Sequence, residues 1–483
     1  ADFLVAKRSG GVFYLRMEDT DKKREVEDGV SGLVNGLQAF GVVPDEGVTG
    51  LGSERGDYGP YTQSRRKEIY HSFARDLILR GYAYPCFCTA NELEDLRAAQ
   101  ELAGKNKGYY GRWARCRNLS AQEQLRRIAA GEPFTLRLRS PGDPAKKIVV
   151  NDLVRGKLEL PEYDMDTVLL KADGIPTYHF AHAVDDHLMR TTHVIRGEEW
   201  LASLPLHVQL FALLGFAPPQ YAHTAAVMKL DPETGGKRKL SKRKDPEAAV
   251  RYFAEQGYPA EAVKEYLLTL LNSNFEDWRR ANPSSALTDF PFSLKKLRAS
   301  GCLFDLQKLE DVSKTFLSRM RAEDVFEEAL AWATQHDPAW AALLLCDKDY
   351  ATAFFAIGRG GAKPRKDFAR WNQTKEAFAF FYDELFVPAR PKQPDAAAII
   401  DAFLRREEPL EDFARIKAIC EPLGYCANTK QYKADPAAYK GSVSDVSTVI
   451  RLAVTGRENS PELGACISVL GAARVLERLK GAV

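Results

Sequence analysis

Six cations fall in the eight residues Lys237 to Lys244, directly after Gly235-Gly236 and between a strand-like Ala225-Ala226-Val227-Met228 and a helical segment from Pro246. Residues of these types at this spacing suit phosphate chemistry. Glycines let a backbone approach a ligand closely, Lys239 and Lys242 can bracket a polyphosphate from either side of Ser241, and the hydroxyl adds a rotatable donor. A run of Lys and Arg also fits a solvated face or a nucleic-acid patch, so the run acquires meaning only beside the rest of the chain.

Four other groups could carry chemistry. Glu18, Asp19 and Asp21 follow the apolar run Val12 to Met17. In an open α/β sheet ligands bind beyond the carboxyl ends of strands, so acids there can meet an ammonium group, whereas Asp21 is better placed to cap the next helix. Cys86 and Cys88 stand at Cys-x-Cys spacing, with Tyr110 and Cys116 further on, a set that suits a soft cation or buried free thiols. The stretch His179 to His187 contains His179, His182 and Asp186, which share a helical face and suit zinc, manganese or iron. That cluster favours a metal-dependent phosphohydrolase as a rival reading. Finally, Val194-Ile195 reads as a buried strand presenting Arg196. A guanidinium there either forks onto a carboxylate ligand or pairs with Glu198 or Glu199.

Lys239-Leu240-Ser241-Lys242-Arg243 resembles the second signature of class I aminoacyl-tRNA synthetases, in the form usual for the bacterial glutamyl-tRNA synthetases. The same family accounts, in order, for Leu15 to Asp21, Gly59-Pro60-Tyr61-Thr62-Gln63-Ser64, Tyr178 to Asp186, Val194 to Trp200 and Arg451-Leu452-Ala453-Val454-Thr455-Gly456. The resemblance implies that Glu18 meets the α-amino group of glutamate. Tyr178 and His182 would line its pocket, and Arg196 would read its side-chain carboxylate. His182 stands where a small polar residue, often asparagine, is usual. Glu199, Met228 and Lys239 to Arg243 would form the ATP site, with Lys239 and Lys242 stabilising charge on the phosphates. Implied partners are ATP with Mg2+, L-glutamate and tRNA(Glu), together with a structural Zn2+ held by Cys86, Cys88, Cys116 and Tyr110. A first signature of the His-Ile-Gly-His type belongs before Ala1. A chain lacking it would be a catalytically dead tRNA-binding protein, which is the second reading.

The elements that must position these groups follow the apolar pattern. At 483 residues the chain exceeds one core, since domains average about 150 residues. The 45% apolar and 28% charged fractions are those of a globular chain, and no apolar run approaches the roughly 18 residues that span a bilayer. A net charge of +2 and eight scattered cysteines fit a cytoplasmic protein without a disulfide framework, and nothing demands more than a monomer. The expected architecture is α/β, a doubly wound Rossmann-like catalytic domain with an α+β insertion, followed by an all-α anticodon-binding half. Its expected divisions are residues 1–84 and 186–228 for the catalytic domain and 85–185 for an acceptor-stem insertion. A stem-contact region is expected over 229–312, and helical modules over 313–387 and 388–483, the last boundary at the proline cluster 388–394. Helices are expected along Val26 to Leu37, Ile69 to Leu77 and Leu206 to Leu213, and a hairpin pairing Val168-Leu169-Leu170 with Ile175 to Tyr178.

Overall fold

The computed structural model describes residues 1–20, 29–241 and 244–482. Asp21, expected as a helix cap, and Lys242 and Arg243, expected at the triphosphate, lie outside the described residues. The chain forms two compact units, Ala1–Asp245 with Leu267–Phe304, and Pro246–Tyr266 with Asp305–Val483. The stem-contact region expected over 229–312 is thus divided between them.

In the first unit, helix α1 (Asp2–Ser9) ends at Gly10 in the left-handed conformation, and strand β1 (Tyr14–Leu15) follows. Helix α2 (Gly29–Ala39) precedes strand β2 (Glu46–Gly50), which pairs parallel to β1 with Tyr14 opposite Glu46. This close pairing needs Gly47. Its φ is 107°, and a Cβ there would stand 2.1 Å from the Leu15 carbonyl oxygen. Strand β3 (Ser53–Arg55) adds antiparallel to β2, and Met17 bridges to Thr62. Of the apolar run Val12 to Met17 only Tyr14–Leu15 is regular strand.

Helix α3 (Lys67–Leu79) buries Tyr70, Ala74 and Leu77, so its inner face is turned slightly from the expected Ile69-Phe73-Leu77 stripe. Strand β4 (Ala83–Cys86), helix α4 (Ala90–Leu102) with a Thr89/Glu92 capping box, helix α5 (Ala121–Ala129) and strand β5 (Thr135–Leu138) come next. Strands β6 (Lys147–Asp152) and β7 (Gly156–Pro161) make a hairpin, and β8 (Val168–Leu170) pairs with β5.

The second arm of the expected hairpin is not a strand. Beyond the Leu170–Pro176 bridge, the Thr177 hydroxyl donates to the Val168 carbonyl at 2.7 Å, and Tyr178 starts helix α6 (Tyr178–Leu188). The proline cannot donate to a ladder, and the helix takes over two residues later. Strand β9 (His193–Gly197) is parallel to β10 (Gln220–Thr224) across helix α7 (Leu204–Leu214), which Gly215 terminates. Strands β11 (Val227–Leu230) and β12 (Lys237–Lys239) form a hairpin, with β13 (Cys302–Leu303) parallel to β11 on its other edge. The core beneath α6 joins Tyr70, Leu77, Leu138, Leu169, Phe180 and Leu210.

The second unit is helical from Leu306 onward. The proline cluster 388–394 carries no helix, yet a single apolar core crosses it, joining Phe326, Trp340 and Phe381 to Ile400, Ile450 and Leu479. Asp383 receives Arg474 Nε at 3.0 Å and Arg478 Nη2 at 2.8 Å across the same boundary. The modules expected at 313–387 and 388–483 therefore share one core. No helix among the described residues is long and apolar enough to cross a membrane.

Candidate functional site

Helix α6 organises the site because it buries a continuous run from Phe180 to Asp186, including two carboxylates. Asp185 is fully buried and accepts from Gln63 Nε2 at 3.0 Å, Arg66 Nε at 2.7 Å and the Tyr70 hydroxyl at 2.8 Å. Arg66 also donates to the carbonyls of Tyr58 and Pro60, so one carboxylate ties the 58–66 turn to α3 and α6. Asp186 accepts from Arg16 Nη1 at 2.7 Å, and His182 Nδ1 lies 2.8 Å from its Oδ2. Burial works to raise the Asp186 pKa, but the charges of His182 and Arg16 prevail and hold it at about 2.

Above this base lies a cavity of about 590 Å³, whose lining includes Tyr14, Arg16, Glu18, Tyr178, His182 and Arg196. The structure thus brings together the four residues expected to bind glutamate. Glu18 is half exposed and lies 3.4 Å from Arg16 Nη2. Asp19 turns away, accepting from the Ser64 amide at 2.8 Å and its hydroxyl at 2.5 Å. Tyr178 stacks on His182 at 5.7 Å and packs on Trp200 at 4.5 Å. Burial and the Glu18 charge raise the Tyr178 pKa against the opposing charge of Arg196, so its hydroxyl stays protonated.

Arg196 sits on β9, and neither Glu198 nor Glu199 pairs with it. Its Nε donates to His223 Nε2 at 3.0 Å, and its Nη1 lies 2.9 Å from His207 Nδ1. His207 Nε2 in turn lies 2.8 Å from His179 Nδ1, and His223 Nδ1 lies 2.7 Å from Asp152 Oδ2. Among the described residues, Arg196 Nη2 and His182 Nε2 are buried without hydrogen-bond partners. The sequence offered no signal for Asp152, His207 or His223, because each comes from a different element and shares no local pattern with Arg196.

Beyond Gly197 the chain reaches a second group. Lys239 Nζ lies 2.5 Å from Glu199 Oε1, and Met228 stands opposite Lys239 in the β11–β12 pairing. Leu240 donates its amide to the Val227 carbonyl at 2.9 Å. The expected role of Gly235-Gly236 changes, because Gly235 takes φ 68° in the turn of this hairpin and Asp231 accepts the turn's amides. Buried Asp245 anchors the far end, accepting Arg238 Nη1 at 2.6 Å, Arg238 Nη2 at 2.8 Å and the Ser241 amide at 2.9 Å.

The thiols converge elsewhere in this unit. Ligand atoms of Cys86, Cys88 and Cys116 lie within 4.8 Å of one another, with Cys88 and Cys116 sulfurs 3.7 Å apart. The aromatic neighbour is Tyr109, whose hydroxyl lies 3.4 Å from Cys86 Sγ and 3.3 Å from Cys88 Sγ. Tyr110, the expected fourth ligand, instead donates to the Asn106 carbonyl at 2.7 Å. Successive side chains in extended backbone diverge, so only one of the pair can face the sulfurs. Hydrogen bonds from Cys116 and Cys88 hold the Cys86 thiol well below its ordinary pKa. The His179, His182 and Asp186 cluster forms no such group among the described residues, because His179 turns to His207 while His182 pairs with Asp186. The phosphohydrolase reading loses its metal site.

Comparison with known proteins covers nearly the whole chain. The family model described as tRNA synthetases class I (E and Q), catalytic domain, matches residues 1–289, and the anticodon binding domain matches residues 370–483. A glutamate–tRNA ligase of Clostridium perfringens strain SM101 is 46% identical over 99% of this chain and 88% of its own length. One from Clostridium beijerinckii is 47% identical over 97% of this chain and 87% of its own length. The crystal structure of a glutamate tRNA ligase from Elizabethkingia meningosepticum in complex with its amino acid superposes with a TM-score of 0.78 at 26% identity, covering 100% of this chain and 94% of that one.

Proposed function

We infer, from the premise that this chain belongs to the class I tRNA synthetases of the E and Q family, that it activates L-glutamate with ATP and transfers it to tRNA(Glu). A glutamate α-carboxylate oxygen attacks the α-phosphorus of ATP, taken up as its magnesium complex, and the bond to pyrophosphate breaks. The terminal ribose hydroxyl of the tRNA then attacks the glutamyl carbonyl and AMP leaves. No covalent intermediate with the protein is needed. Its contribution is orientation and charge stabilisation.

The observation that carries this reading is the buried Nη2 of Arg196, without a hydrogen-bond partner among the described residues, on the wall of a cavity that also holds Glu18. A side-chain carboxylate there completes the guanidinium's hydrogen bonding, while Glu18 meets the α-ammonium. Tyr178 and His182 close the pocket, the latter with its free Nε2. Glutamine leaves the cation poorly paired, and an uncompensated buried charge costs about 3–5 kcal/mol. Arg196→Gln should raise KM for glutamate at least about a hundredfold in steady-state aminoacylation, with KM for ATP little changed. An unchanged glutamate KM refutes the assignment.

For the nucleotide we assign Glu199, Met228, Lys239, Leu240 and Ser241, together with Lys242 and Arg243. The hairpin that carries Lys239, Leu240 and Ser241 is pinned by Asp245, which supports the assignment. We also assign a structural zinc to Cys86, Cys88 and Cys116, with Tyr109 as the fourth neighbour. Three convergent sulfurs fit a tetrahedral site, and bound zinc would cross-link β4 to the segment after α4. Native mass spectrometry should find one zinc per chain, lost in Cys88→Ser. Residues 85–185 are assigned to the acceptor stem and the helical unit to the anticodon arm.

A further inference from the structure

Two arginines in this cavity are held by opposite kinds of partner. Arg16 is neutralised within the protein by Asp186 at 2.7 Å and Asp185 at 3.8 Å. Arg196 is held by two imidazoles, both fully buried. A guanidinium has donors only, so each ring nitrogen facing it must be a bare acceptor. That requirement fixes the proton on both rings. His207 accepts at Nδ1 and therefore carries its proton on Nε2, which donates to His179 Nδ1. His223 accepts at Nε2 and carries its proton on Nδ1, which donates to Asp152. The Asp152 carboxylate also accepts the amides of Val154 and Arg155, both at 2.9 Å, so it is fixed before it meets the ring.

We propose that His207 and His223 are positioning residues for glutamate recognition, acting as neutral acceptors that lock Arg196 by Nη1 and Nε and leave Nη2, with the full cationic charge, for the substrate carboxylate. The inference rests on the reading that Arg196 holds the side chain of glutamate. A carboxylate in place of either imidazole would orient the fork equally well and cancel the charge that selects glutamate over its amide. Burial, followed by the charges of His182 and Arg196, pushes His207 far below its ordinary pKa, in keeping with a neutral ring.

An exchange of amides tests the acceptor positions. Asparagine places its amide oxygen near the Nδ1 of the histidine it replaces, and glutamine near Nε2. His207→Asn and His223→Gln should therefore keep KM for glutamate within about threefold of the parent, and His207→Gln and His223→Asn should raise it about tenfold or more, with KM for ATP unchanged in all four. Equal effects within each pair overturn the proposal, because a merely structural role does not discriminate ring nitrogens. An Arg196→Gln protein with unchanged glutamate KM refutes the underlying reading, whereas a large Arg196→Gln effect without the crossover refutes only the positioning role. Histidine-selective 15N spectra of the unsubstituted protein give a second test that needs no variant to fold. His207 should show the Nε2–H tautomer and His223 the Nδ1–H tautomer, and an imidazolium or the opposite tautomer at either position overturns the proposal.

Discussion

A histidine that must stay neutral converts pH into stability. Burial, and after it the charges of His182 and Arg196, lowers the His179 pKa to about 4, against about 6.5 in an unfolded chain. Between these values the unfolded state binds a proton that the folded state does not, so stability falls as the pH drops from above about 6.5 toward 4 and levels off only about a unit above 6.5. His207 shifts in the same direction. Each such proton contributes a slope of at most about 1.4 kcal/mol per pH unit. Denaturant midpoints measured from about pH 6.5 to 5 should decline in the parent and decline less in His179→Asn. A parent profile flat from pH 6.5 to 5 contradicts the neutral relay.

At the scale of elements, the cationic hairpin depends on a residue outside its run of cations. Asp245 takes both Nη atoms of Arg238 and the Ser241 amide, and its removal would free the strand end that carries Lys239. Asp245→Ala should raise KM for ATP about tenfold or more, since a loosened electrostatic group forfeits preorganisation, while KM for glutamate stays within about twofold. Equal changes in both constants would mean that the whole unit had been disturbed.

The same elements show what could be read in advance. The motif residues were legible because they stand at strand ends and helix starts that apolar runs and glycines announce: Arg196 after Val194-Ile195, Glu18 after Met17, Gly215 after α7. The start of α6 was misplaced because Ile175-Pro176-Thr177-Tyr178 has strand composition, while the chain beyond Pro176 turns helical. Tyr109 was exchanged for Tyr110 because composition cannot say which of two adjacent side chains faces a given side. The partners of Arg196 were illegible for a stronger reason. Asp152, His207 and His223 come from β6, α7 and β10, and no local period relates them.

For the whole molecule, the near balance of 68 basic against 66 acidic residues has to be reconciled with a polyanionic partner. Net charge sets long-range repulsion, but tRNA affinity follows the number of backbone phosphates that local Lys and Arg neutralise, each releasing condensed counterions. Glutamate, in contrast, would in the proposed pocket meet charges inside a cavity, where salt screens poorly. The two substrates should therefore separate on a salt titration of aminoacylation. Raising salt from about 50 to 200 mM should raise KM for tRNA by an order of magnitude or more, while KM for glutamate moves less than about threefold. Parallel loss of both would place glutamate on an exposed, screened surface and so contradict the buried Arg196 pocket. A tRNA KM insensitive to salt would mean that this nearly neutral chain gathers too few phosphate contacts for counterion release to drive binding, leaving shape and base contacts to carry recognition.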